Sequence, residues 1–216
     1  MRKIAIIPSL NPDDSFVSIA KEVVDAGLTL VVVNDGSKEE CEHIFNEISL
    51  FATVLGYKEN KGKGHALKYA FSYIKDKYID EDYVVVTMDS DGQHKVKDAI
   101  RVTEEAINNP NSLVLGSRKL DKSCPRKSRI GNFLARSTFF LFTFTKVYDT
   151  QTGLRAFNKN IIDLIISSKG NRYEYEMVWN GIGLNSIVEY ERTGKKDSDN
   201  GGSCPRHRPE DTGCQD

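Results

Sequence analysis

Apolar and polar positions alternate along the first half of the chain in two different periods. Runs of β-branched residues such as "KIAIIPSL" (Lys3–Leu10) read as strands buried on both faces. Stretches such as "DSFVSIAKEVVDAG" carry apolar residues at helical spacing, with Asp14 or Ser15 as N-cap and Gly27 as terminator. The same alternation repeats. "LTLVVVNDGS" is a strand, "KEECEHIFNEISLF" a helix, "ATVLGYKEN" a strand, and "GKGHALKYAFSYIKDKY" a helix. "DYVVVTMD" is a fourth strand, "VKDAIRVTEEAINN" a helix, and "SLVLGSR" (Ser112–Arg118) a fifth strand. Strands alternating with helices predict an α/β fold with a mainly parallel central sheet and flanking helices. Beyond Arg118 the pattern changes. "KLDKSCPRKSR" is a basic loop, "IGNFLARSTFFLFTFTKV" (Ile130–Val147) a phenylalanine-rich helix, and "DTQTGLRAFNK" a short hairpin. "NIIDLIISSK" and "YEYEMVWNGIGL" read as helices and "NSIVEYE" as a last strand. Residues 1–192 are expected to form one domain, and the polar stretch 193–216 a disordered tail.

Length and composition narrow the class. A chain of 216 residues suits one domain with a sizeable core. Its 30 Lys and Arg against 31 Asp and Glu leave a formal charge of −1, which argues against a general nucleic-acid binder. No apolar run approaches a bilayer span, and "MRKIAIIPSLNPDD" does not read as a signal peptide. Cys41, Cys124, Cys204 and Cys214 are too scattered for a disulfide framework, so a cytoplasmic setting is the expectation. Cys204, His207 and Cys214 lack a paired Cys-x-x-Cys and make only a weak zinc signal, against which a disordered tail is the preferred reading.

Ligands of parallel sheets bind at the carboxyl ends of the strands. Polar clusters recur there in this chain, at Asn11–Asp14, Asn34–Ser37, Asn60–His65, Asp89–His94 and Gly116–Arg118. In "VVVTMDSDGQH" a buried strand runs into Asp89 and Asp91, one residue apart, so both carboxylates can lean toward one ion. Mg2+ and Mn2+ take oxygen ligands of this kind, one or two carboxylates plus substrate phosphates. Gly92 lets the chain turn, while Gln93 and His94 offer further polar contacts to the same ligand. Asp35, one strand over, can accept from a nucleobase ring N–H or from ribose hydroxyls; alternatively it belongs to an Asx-turn. "NKGKGHAL" places Lys63 and Gly64 at a strand-to-helix turn suited to phosphate. It is neither a P-loop nor a dinucleotide fingerprint, because both spacings fail. Together these loops describe a site for a nucleoside diphosphate with a divalent metal.

The motifs "IIPSLNPDD", "VVVNDGS", "NKGKGHAL", "MDSDGQH", "GSR" and "DTQTGLRAF" stand in the order seen in family 2 glycosyltransferases of GT-A fold. The chain resembles most the branch of that family containing dolichyl-phosphate mannose synthase and polyprenyl-phosphate sugar transferases. The likeness covers about Lys3 to Met177. It implies a Rossmann-like GT-A domain whose activity is metal-dependent, inverting sugar transfer from a UDP- or GDP-sugar to polyprenyl or dolichyl phosphate. By that resemblance Asp35 contacts base or ribose, and Pro8, Ser9 and Asn11 wall the base pocket. Asp89 and Asp91 bind metal and diphosphate, with Gln93 alongside. Arg118 faces donor or acceptor phosphate, and Asp149 and Arg155 belong to the acceptor-side motif.

The segment from Gly116 to Lys146 is strongly basic, Arg129 included, against the single acid Asp121, and it adjoins Phe133, Phe139, Phe140, Phe142 and Phe144. Such a segment fits contact with a membrane surface, which would make the protein peripheral at the cytoplasmic face. Packing within the domain or against a second copy in a homo-oligomer is the alternative. Two other activities compete: transfer to a saccharide hydroxyl in cell-envelope polysaccharide synthesis, and non-catalytic binding of a nucleotide sugar. A nucleotidylyltransferase would carry a glycine-rich loop after the first strand, and "PSLNPDD" has none.

Overall fold

The computed structural model describes residues 1–117, 152–167 and 186–191. Arg118, Arg129, Asp149, the basic and phenylalanine-rich segment, the "YEYEMVWNGIGL" helix and the 193–216 tail lie outside the described residues. The elements run β1 (Arg2–Ser9), α1 (Ser15–Asp25), β2 (Thr29–Asp35), α2 (Glu42–Ser49), β3 (Thr53–Tyr57) and α3 (Lys63–Lys77). They continue with β4 (Tyr83–Thr87), α4 (Val96–Asn108), β5 (Ser112–Ser117), β6 (Arg155–Asn158), α5 (Lys159–Ser167) and β7 (Ser186–Glu191).

The strand order is β3-β2-β1-β4-β6-β5-β7. All pairs are parallel except those of β6, which runs antiparallel to both β4 and β5. The chain winds outward from β1 to β3, then returns to lay β4 on the other side of β1. That reversal makes the gap between β1 and β4 the topological switch point, where a crevice opens above the carboxyl ends.

Helices cover both faces, which is why the strands are continuously apolar rather than alternating. Ile4, Ile6, Val31, Val33 and Val85 face α3 and α5. Ala5, Ile7, Val32, Val84 and Val86 face α1, α2 and α4. Each large side chain so buried contributes about 1.5–3 kcal/mol. Phe71 of α3 and Phe157 of β6 meet edge to face at 5.5 Å and tie the helix to the strand it covers.

Two expectations need correction. Asp14 stands at the N-cap of α1 but its side chain makes no capping bond. Asp13 does the work instead: its Oδ1 accepts from the Ser15 backbone N–H at 2.9 Å and from the Ser15 hydroxyl. Asp14 turns away to accept from His43 Nε2 at 2.9 Å, while His43 Nδ1 bonds the Glu40 carbonyl at 2.8 Å. A carboxylate and a carbonyl can only accept, so these two partners favour the protonated ring of His43. Its pKa is raised, first by the bond to Asp14. Gly27, at φ +85°, ends the helix as expected.

The second correction concerns "DTQTGLRAFNK". Its described part forms no hairpin. Residues Arg155–Asn158 slot between β4 and β5 and satisfy both strand edges there. Leu154, Ala156 and Phe157 are fully buried in that position, which a two-stranded surface hairpin would not achieve.

Candidate active site

Asp35 ends β2, directly beside Tyr57 at the end of β3. Only 4% of the residue is exposed, and its Oδ1 accepts from the Tyr57 hydroxyl at 2.7 Å and the Lys61 backbone N–H at 2.9 Å. Burial, then the hydrogen bond to Asp35, pushes the Tyr57 phenol well above its usual range, so the hydroxyl stays a donor. The ring is packed edge-on by His65 and Tyr69, and the Lys61 ammonium lies 5.3 Å from its centroid. Gly36 is required next to it. At φ +72° it brings the chain so close to the Asn60 loop that a Cβ would stand 2.4 Å from the Asn60 nitrogen.

The loop after β1 is pinned to the loop after β2. Asn11 N donates to Ser37 Oγ at 2.9 Å, Lys38 N donates to Asn11 Oδ1 at 2.9 Å, and Ser37 N donates to Asn34 Oδ1 at 2.8 Å. Asn11 adopts φ +48°, which asparagine tolerates better than most residues. Pro8 and Ser9 end β1 at the level of Val33 and Asn34. Ser9 Oγ is buried and makes no hydrogen bond among the described residues.

At the end of β4, Asp89 meets the start of α3. Lys63 Nζ donates to Asp89 Oδ1 at 2.6 Å, with side-chain exposures of 32% and 28%. Gly62 turns the chain into the helix at φ +89°, which sets Lys63 at its first position and buries Gly64. Asp89 N donates to His94 Nδ1 at 3.0 Å. Because that nitrogen accepts, the proton of a neutral ring sits on Nε2, 3.6 Å from Asp89 Oδ2. This corrects the expectation that His94 reaches the ligand: its side chain has no exposure and braces Asp89 from beneath.

Asp91 and Gln93 are exposed, and Gln93 N donates to Asp91 Oδ1 at 3.0 Å, closing an Asx-turn over Gly92. A cation already lies on Asp89, in the form of the Lys63 ammonium, so the donor set suits positive charge. Among the described residues no group of three or more His, Cys, Asp and Glu gathers to hold a metal. Asp89 and Asp91 together with substrate oxygens would make the kind of donor set that Mg2+ takes.

The segment leading into β6 forms the floor. Thr87 Oγ1 donates to the Gly153 carbonyl at 2.9 Å, Thr152 Oγ1 to the Gly116 carbonyl at 2.7 Å, and Arg155 Nε to the Thr152 carbonyl at 2.8 Å. Arg155, expected on the acceptor side, is fully buried, and its bond to the Thr152 carbonyl fastens the floor from within. Gly153 lies against Asp89 so closely that a Cβ there would stand 2.4 Å from Oδ2. The structure therefore brings Asp35, Lys63, Asp89 and the β1 loop to one edge of the sheet. Tyr57, Thr152 and Gly153 were not singled out in the sequence, because a strand tyrosine and a Thr-Gly pair carry no signal alone.

Residues 5–194 match the sequence model of the family described as Glycosyl transferase family 2. A protein of Methanocaldococcus jannaschii whose own role is unassigned is 31% identical over 175 residues, 78% of this chain and 70% of that protein. The UDP-N-acetylglucosamine–dolichyl-phosphate N-acetylglucosaminyltransferase of Methanococcus voltae is 27% identical over 190 residues, 78% of this chain and 74% of that one. A dolichyl-phosphate beta-glucosyltransferase of Trichomonas vaginalis is 26% identical over 76% of this chain and 55% of its own length. Among solved structures, mannosyl-3-phosphoglycerate synthase from Rubrobacter xylanophilus superposes with a TM-score of 0.62, at 17% identity, over 91% of this chain and 68% of that chain. With a sheet wound as in that neighbour and a family match spanning most of its length, the chain belongs to glycosyl transferase family 2 and has the GT-A fold.

Proposed function

We propose that the protein is an inverting, metal-dependent transferase that moves a sugar from a UDP- or GDP-sugar to polyprenyl or dolichyl phosphate. The observation that carries this is the meeting of Asp89 with the Lys63 ammonium at the switch point, with the buried Asp35 on the other side of β1 at the end of β2. The nucleoside of the donor lies along the β1 and β2 ends, bounded by Pro8, Ser9 and Asn11 and held by Asp35. Its diphosphate lies across to β4, over the α3 N-terminus at Lys63 and Gly64, where backbone N–H groups favour anions. Mg2+ or Mn2+ bound through Asp89, Asp91 and Gln93 supplies neutralisation of the leaving diphosphate's charge.

Lys63 has a part of its own. Its ammonium pairs with Asp89, and in the proposed donor pose it would contact a diphosphate oxygen, stabilising the charge that develops as the anomeric C–O bond breaks. An oxygen of the acceptor phosphate forms the new bond from the opposite face of the sugar, which inverts the anomeric centre. That oxygen is already ionised at neutral pH, so no strong general base is needed. Positioning it falls to arginines, for which Arg118 and Arg129 are the proposed groups, with Asp149 and the Arg155 strand on the acceptor side.

The relatives from Methanococcus voltae and Trichomonas vaginalis, named for dolichyl-phosphate transfer, support this acceptor class. No helix among the described residues is long and apolar enough to cross a membrane. Reaching a lipid phosphate would therefore place the described domain at a bilayer surface, with 118–147 as the proposed contact. The purified protein, given radiolabelled UDP- or GDP-sugar, Mn2+ and a short-chain polyprenyl phosphate, is expected to yield label in an organic-soluble, acid-labile product. Label appearing only in free sugar or on an added saccharide would overturn the acceptor assignment.

A further inference from the structure

We propose that Tyr57 determines the donor base, by filling one oxygen of Asp35 so that the site takes uracil in preference to guanine. This rests on the reading of Asp35 as the residue that meets the base. A carboxylate oxygen offers about two lone-pair directions. On Asp35 Oδ1 both are taken, by the Tyr57 hydroxyl at 2.7 Å and the Lys61 backbone N–H at 2.9 Å. Among the described residues Oδ2 receives no hydrogen bond. Asp35 therefore presents a single oxygen to a ligand.

The bases differ in what they bring to such a group. Guanine carries two adjacent donors, N1–H and the N2 amino group, which match both oxygens of a free carboxylate side by side. Against Asp35 one of the two would be left unpaired in a buried position, and that costs affinity. Uracil has a single ring N–H between two carbonyls, and one oxygen satisfies it. Cytosine points a ring nitrogen lone pair at the same place and is repelled. The arrangement also resists adjustment. The Tyr57 ring is fixed by His65 and Tyr69, and burial with the Asp35 bond keeps its hydroxyl protonated. Lys61 N–H is fixed by the backbone, in the loop that Gly36 allows to approach. Discrimination thus comes from a shortage of acceptors on the protein side, which uracil's single N–H matches, with the wrong base rejected for its surplus hydrogen.

Isothermal titration of UDP, GDP and CDP, each with Mn2+, tests this on the full chain and on Tyr57→Phe, which keeps the ring and removes the hydroxyl. The wild-type protein should bind UDP at least about tenfold more tightly than GDP, the worth of one buried hydrogen bond. The variant should free one lone pair of Oδ1 and lower the UDP-to-GDP ratio by about tenfold. A purely structural role for Tyr57 would weaken both nucleotides alike and leave the ratio unchanged, which would overturn the proposal. So would a wild-type preference for GDP, a result that stands whether or not the variant folds. Failure of the wild-type protein to bind any of the three would sink the donor-site reading itself, and the base assignment with it.

Discussion

Replacing Asp89 with alanine is expected to lower kcat/KM on the order of 10³-fold while leaving the fold in place. The carboxylate stands where three elements converge: β4 delivers it, α3 pairs it with Lys63 at 2.6 Å, and the β6 approach packs against it through Gly153. Removing it takes away the proposed metal and diphosphate contact and the carboxylate that Lys63 pairs with. The stability cost should be small. The pair is partly solvent-exposed, and such pairs contribute about 1 kcal/mol or less. The check is steady-state kinetics alongside a thermal melt by circular dichroism. A variant with near-normal turnover would remove Asp89 from the catalytic site, whereas a collapsed melt would make it a structural residue.

The second large effect is expected at a residue with no functional group. Gly153→Ala should cost about 10²-fold in kcat/KM, because a displacement of about 1 Å at a reacting centre has that consequence. The added Cβ would lie 2.4 Å from Asp89 Oδ2 and 2.9 Å from its Cγ and Oδ1. Backing away is blocked. The Gly153 carbonyl is held by Thr87, and Thr152 and Leu154 on either side are fully buried. The carboxylate must then rotate off Lys63, or the strand must shift and lose about 1–3 kcal/mol to overpacking. Kinetics combined with a melt separate the two, since rotation spares Tm and strand movement lowers it. Full activity with an unchanged Tm would show that the floor is looser than its contacts imply.

Why Gly153 escaped notice in the sequence says how far such reading goes. Strands β1 to β5 and helices α1 to α4 were legible, because both kinds of element bury long, strongly patterned faces. The placing of Asp35, Asp89 and the glycine-lysine turn at strand ends was legible, because carboxylates and glycines there are a local signal, and their roles are proposals. β6 was not. It is four residues long and carries an arginine, which argues against a central strand until its partners β4 and β5 are known to enclose it. The Lys63–Asp89 pair and the contact of Gly153 with Asp89 join elements far apart in the chain, and no spacing rule reaches across them. His94 misled for a related reason. A histidine after an acidic loop reads as a ligand, but the fold tucks it beneath Asp89 to accept a backbone hydrogen bond. Tyr57 looked like an ordinary strand residue until parallel register set it beside Asp35.

The acidic loop after β4 is proposed to hold a divalent ion only together with a nucleoside diphosphate. Thermal-shift titration of UDP with and without Mn2+, on the wild-type chain and Asp91→Ala, tests it most directly, since a ligand that binds the native state raises its apparent stability. Asp91 is exposed, so the variant's unliganded melt should match the wild type. Mn2+ should enlarge the UDP-induced shift in the wild-type protein and add nothing in the variant. An equal Mn2+-dependent increment in both proteins would contradict it.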